Sequence, residues 1–180
     1  MPAPQLSENQ VAQVSALVAQ YIDRKRETYA PRAVPLSKQE HAAMSGFFPQ
    51  TVLASTRLLV LQGERVANPD FYPVLRSLGF DNLPDQSAMG AITFCDIVVS
   101  HGAFSNPLLF HELVHVEQYR QLGVPRFSGL YVRGFLSGGS YEAIPLEINA
   151  YDLEGQYERG PDRHFWVPNK VQTLIRQDRF

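Results

Sequence analysis

Residues 107–122 read PLLFHELVHVEQYRQL. Pro107 suits the first turn of a helix, no proline interrupts 108–122, and Gly123 with Pro125 ends the run. Inside it, His111-Glu112-Leu113-Val114-His115 spells HExxH. Positions i and i+4 share one helix face, so both imidazoles can reach a single ion at about 2.0–2.1 Å. Glu112 leans toward the open coordination position, where it can take a proton from a metal-bound water. Zinc lowers the pKa of such a water from about 15.7 to about 7, so a carboxylate can finish the transfer at neutral pH. Leu109, Phe110, Leu113, Val114 and Val116 surround the pair. That composition predicts a buried helix rather than a surface helix with two solvated histidines.

Catalytic zinc takes three protein ligands and leaves a fourth position to water. The metzincin extension needs a glycine at position 118 and a histidine at position 121; the chain has Gln118 and Gln121, which excludes that subclass. The third ligand is then sought among Glu117, Glu142, Glu147, Asp152, Glu154, Glu158 and His164. Glu117 follows His111 by six positions and falls on the wrong part of the helix. Glu147 opens the next helix, and Ala150 one turn on lets two helices approach closely. Glu147 is favoured and Glu142 is its rival. An oxyanion donor is also needed for acyl transfer, and Tyr131, Tyr141, His101 and His164 are the candidates.

Outward from this centre, Ala91–Val99 reads as a single strand with Cys95 in its middle, and Thr51–Leu61 reads as mostly strand. Ser7 caps a helix whose stripe is Val11, Val14, Leu17, Val18, Tyr21 and Ile22. Ser37 and Glu40 form a capping box before a short helix. Further helices are predicted at Pro69–Leu78, Phe127–Leu136, Pro145–Tyr157 and Pro168–Gln177, with residues 81–90 as loop. Mostly helices with one small sheet make an α+β chain. Residues 1–87 are expected to form an N-terminal helical region, part of the same domain or a cover, and 88–180 the metal-binding core.

The chain has 180 residues, 44% of them apolar and 19% charged, which suits a folded domain. Sixteen Lys+Arg against eighteen Asp+Glu give −2, which argues against a nucleic-acid partner. No apolar run is long enough for a transmembrane helix, so no membrane partner is expected. Met1–Gln5 has neither the basic nor the apolar region of a Sec signal, which predicts a cytoplasmic location or a signal-less route. Cys95 is the single cysteine, so no intrachain disulfide forms.

HELVHVEQY followed downstream by YEAIPLEINAY resembles the gluzincin-type zinc metallopeptidases. More closely, residues 88–155 resemble the compact bacterial peptidase-like domain found in contractile-injection-system core proteins. Those domains share an AITF-type strand, HELxHVxQ and a Pro-x-Glu-x-x-Ala segment, here Pro145, Glu147 and Ala150. The resemblance implies a zincin-like fold, Zn2+ as cofactor, His111, His115 and Glu147 as ligands, and Glu112 as general base. It implies a metallohydrolase acting on a peptide or protein, with a zinc-binding scaffold or effector-type domain as the alternative. Large gluzincins carry an Asp four residues after the ligand Glu to orient a ligand His. Here that position is Tyr151, so Asn149, Asp152 or a backbone carbonyl must take over the task.

Overall fold

The computed structural model describes residues 5–180. A serine cap starts the first helix, α1 (Glu8–Tyr29). The Ser7 hydroxyl accepts from the Gln10 amide, and the Gln10 side chain accepts from the Ser7 amide. The same reciprocal pair, Ser37 with Glu40, starts α2 (Lys38–Met44). Then follow α3 (Gln50–Ser55) and α4 (Tyr72–Ser77). The remaining helices are α5 (Asn106–Gly138), α6 (Pro145–Glu158) and α7 (Val167–Arg176).

Four short strands form one mixed sheet: β1 (Val34–Pro35), β2 (Arg57–Val60), β3 (Ala91–Phe94) and β4 (Ile97–Ser100), in the order β1-β2-β4-β3. β2 runs parallel to β4, with Leu58 opposite Val98, and β3 pairs antiparallel to β4, with Thr93 opposite Val98. The chain is therefore α+β and mostly helical, with α5 at its centre against β3, α1 and α6. No helix among the described residues is long and apolar enough to cross a membrane.

Two predicted strands need correction. Ala91–Val99 is a hairpin rather than one strand: the chain reverses at Cys95-Asp96, where Cys95 takes a left-handed φ of 61°. The apolar run continues through both strands because both face the core, so hydrophobicity alone did not mark the turn. Cys95 accordingly sits half-buried at a turn, not mid-strand in the core. Thr51–Leu61 is likewise divided. Its first half is α3, capped at Pro49, and only Arg57–Val60 is strand.

Gly123 acts as predicted. Its φ of 72° and ψ of 161° break α5 into two helical halves, and Pro125 sits in the first turn of the second. The first half is buried all round: Leu109, Phe110, Leu113 and Val114 are fully enclosed. Residues on both sides of position 88 build the core around it. Phe47, Phe48 and Val52 pack with Phe110 and Val114 on one side; Tyr21, Ile22 and Phe71 pack with Phe94, Tyr119 and Ile144 on the other.

The second half of α5 fixes where α6 begins. A Cβ added at Gly134 would lie 2.6 Å from Pro145 Cδ and 3.3 Å from Ile144 Cγ2. The Pro145 ring is rigid, so it cannot yield without moving the start of α6. We expect Gly134→Ala to destabilise the fold by about 1–3 kcal/mol in urea unfolding. An unchanged or raised midpoint contradicts the close approach.

Candidate metal centre

The first half of α5 places His111 and His115 one turn apart on one face, and the first turn of α6 brings Glu147 up to them. All three are buried, at 5%, 6% and 4% exposure. The two histidine Nε2 atoms are 3.2 Å apart. Glu147 Oε2 lies 3.2 Å from His115 Nε2 and 3.5 Å from His111 Nε2. Together the three side chains make a buried group able to hold a metal ion. Donors bound at about 2.0–2.2 Å in a tetrahedral arrangement are about 3.3–3.6 Å from one another, so sides of 3.2, 3.2 and 3.5 Å are close to the size a four-coordinate ion needs.

The neighbours decide where the protons are. His111 Nδ1 is 3.0 Å from Glu154 Oε2, a carboxylate that only accepts, so Nδ1 carries the hydrogen. Gln118 Nε2 donates to the Leu146 carbonyl and to Asn149 Oδ1, both at 3.0 Å, which turns Gln118 Oε1 toward His115 Nδ1 at 2.9 Å. Nδ1 of His115 is therefore a donor too. In the neutral rings both Nε2 atoms present lone pairs to each other and to Glu147 Oε2. That oxygen is buried without a hydrogen-bond donor. Three converging lone pairs with no proton between them call for a cation.

Burial alone lowers the basicity of His111, but Glu147 and Glu154 outweigh it and push its pKa up to about 10. His115 shifts upward as well: burial lowers it, and the Glu147 charge more than restores it. Burial raises Glu147, and the two histidines pull it well below the usual carboxylate range.

No protein-family model, curated protein or solved structure matches the chain. The donor geometry alone therefore speaks for a metal.

Glu112 is also buried, at 4% exposure, and its Oε2 accepts a 2.6 Å bond from the Thr93 hydroxyl of β3. It opens, with His115 and Glu147, onto a cleft of about 90 Å³ whose walls include Thr93, Tyr131 and Tyr141. Of the four candidate oxyanion donors, the structure brings two to this cleft. Burial, then the Glu147 charge, drives the pKa of both the Tyr131 and Tyr141 phenols upward, so both keep their protons at neutral pH. The other two lie elsewhere. His101 accepts from the Val66 amide at 3.0 Å and bonds the Met89 carbonyl at 2.6 Å, tying loops together. His164 is exposed and packs edge-on against Phe47 at 5.1 Å between ring centres.

The rival third ligands are also placed. Glu117 is fully buried but holds Arg120 at 2.6 and 2.7 Å and Gln121 at 2.5 Å. Glu142, Asp152 and Glu158 are exposed. Glu154, sought as a ligand, instead orients His111 from behind, while Tyr151 lays its ring beside the His111 ring at 4.4 Å between centres. The orienting carboxylate thus comes seven positions after Glu147, from Glu154 rather than from Asn149 or Asp152. Residues 147, 151 and 154 share a helix face by their i, i+4, i+7 spacing, which was the available sign. Gln118, three residues after His115, and Thr93, across the sheet, were missed as supporting groups.

Glu147→Ala is expected to abolish stoichiometric zinc binding while Glu142→Ala leaves it intact, measured by metal analysis after dialysis. Glu154→Gln should weaken zinc about 10–100-fold in a chelator competition. Unchanged affinity contradicts the orienting role.

Proposed function

We propose that this chain is a zinc-dependent metallohydrolase of the gluzincin kind that cleaves peptide bonds. The observation that carries this reading is the position of Glu112. A buried carboxylate shares one open cleft with His115 and Glu147, two corners of the triangle, and Thr93 restricts its rotation. A domain that only stored a metal would have no use for such a group.

Two imidazoles and one carboxylate suit zinc among the common divalent ions. When bound there, zinc supplies Lewis acidity to a water and to the carbonyl under attack. Glu112 takes the proton of the attacking water and passes it to the departing amine. The Thr93 hydroxyl keeps the carboxylate facing the cleft. Tyr131 and Tyr141 offer phenol protons toward the oxygen on which charge develops. β3 is the last strand in the sheet order, paired on one side only, and its residues 91–94 line the cleft. An extended peptide can add to that edge by backbone hydrogen bonds. The strand edge, the HExxH helix and the later glutamate helix together support a zincin-like architecture of the kind the resemblance to the compact bacterial peptidase-like domain implies.

Glu112→Gln should retain one zinc per chain and lose cleavage of a broad peptide library by about 10²–10⁴-fold. Equal cleavage by both forms contradicts the assignment of the base. A zinc-loaded wild type that cuts nothing in the library favours a binding domain.

A further inference from the structure

The cleft over Glu112, His115 and Glu147 holds about 90 Å³, room for a few waters. Clefts that take a drug-sized ligand span about 300–1,000 Å³, and a short peptide is of that size. The N-terminal part of the chain narrows the space. Val18, Tyr21 and Ile22 of α1, and Phe71 and Tyr72 beyond it, stand in the same walls as residues 91–94 of β3. Tyr21 packs edge-on against Phe94 at 6.0 Å between ring centres, so α1 lies against the strand that an extended substrate would join.

The two covering segments are fastened to each other. The Tyr21 hydroxyl donates to the Ala67 carbonyl at 2.9 Å, and Arg24 pairs with Asp70 at 3.3 Å. α1 and residues 67–72 thus make one flap, held to the body near both ends of the helix. At the C-terminal end Arg26 grips Asp96 of the β3–β4 turn at 2.6 and 3.0 Å, and Tyr29 stacks on Phe94 at 6.0 Å. At the N-terminal end Glu8 pairs with Arg133, in the second half of α5, at 2.6 and 3.2 Å. That second pair is the more exposed of the two. Of the 22 residues of α1, Val11, Tyr21, Ile22 and Tyr29 are buried, and three of these lie in its C-terminal half. The N-terminal half is therefore the lightly held one.

We infer that the structure is the closed, latent form of the site, and that α1 with residues 67–72 is a flap whose N-terminal end must lift before a peptide reaches Glu112. The inference rests on the peptidase reading above, because only a substrate larger than the cleft requires the movement. The Arg26–Asp96 end is the hinge, and the Glu8–Arg133 pair is the latch. Lifting draws Val18 and Tyr21 away from β3 and clears its free edge for backbone pairing. In the closed form small molecules reach the centre and protein chains do not.

The test uses the full-length, zinc-loaded chain carrying Glu8→Cys and Arg133→Cys in a Cys95→Asn background. Asparagine tolerates the left-handed backbone at position 95. A short bis-maleimide locks the latch after folding. Locking should slow digestion of a peptide library and weaken binding of a tripeptide hydroxamate, each by at least about tenfold. Zinc content and the binding of acetohydroxamate, which enters the closed cleft, should not change. Charge reversal repeats the test without cysteines. Glu8→Arg or Arg133→Glu alone should raise peptide cleavage about 2–5-fold, and the two together should return it to the wild-type rate.

Equal cleavage and equal tripeptide-hydroxamate binding by locked and unlocked protein overturn the flap and leave the peptidase reading standing. Loss of tripeptide-hydroxamate binding on locking, with no peptide cut by the unlocked form, sinks the peptidase reading and keeps the flap. Single reversals that change nothing, or a double reversal that stays fast, contradict the latch.

Discussion

Three lone pairs aimed at one point hold the rest of this structure to account. Two of them belong to His111 and His115, and the third to Glu147. In neutral form they repel, and the surroundings remove the obvious escape. Glu154 and Gln118 engage both Nδ1 atoms, so neither ring can turn a hydrogen inward without losing a bond. Burial keeps water from diluting the conflict. Only a proton or a metal ion relieves it.

Such a pocket has to be built by packing strong enough to hold like groups together. Residues 109–119 of α5 are all buried, which fixes the direction of both histidines. Gly134 lets Ile144 and Pro145 close against the second half of α5, which sets the first turn of α6 and hence Glu147. The Gln118 amide binds the Leu146 carbonyl and Asn149, linking the two helices at the level of the candidate metal centre. The break at Gly123 lets one chain segment serve both needs. Its first half carries the ligands, and its second half turns to carry the wall of the cleft.

Much of this was legible because its signals are local. HExxH depends on a four-residue spacing, the Ser7 and Ser37 caps on a three-residue spacing, and the stop at Gly123 on a glycine and a proline two positions apart. Glu147 followed from its place at a helix start after a proline. Signals that depend on tertiary contact were less legible. The Cys95-Asp96 reversal lacks a glycine and lies between two equally apolar strands, so it read as continuous. The α3 residues Gln50–Ser55 carry the same apolar, partly β-branched character as the strand that follows. Thr93 reaches Glu112 across nineteen positions of chain, and the cleft draws walls from residues as far apart as Val18 and Glu147. No single window of sequence contains such information.

A crystal of the purified protein, measured on both sides of the zinc absorption edge, tests the central claim most directly. The account predicts one anomalous peak per chain, about 2.0–2.2 Å from His111 Nε2, His115 Nε2 and Glu147 Oε2, with no fourth protein atom bound. The absence of any peak after zinc is added, or an ion sealed by a fourth side chain, would contradict it.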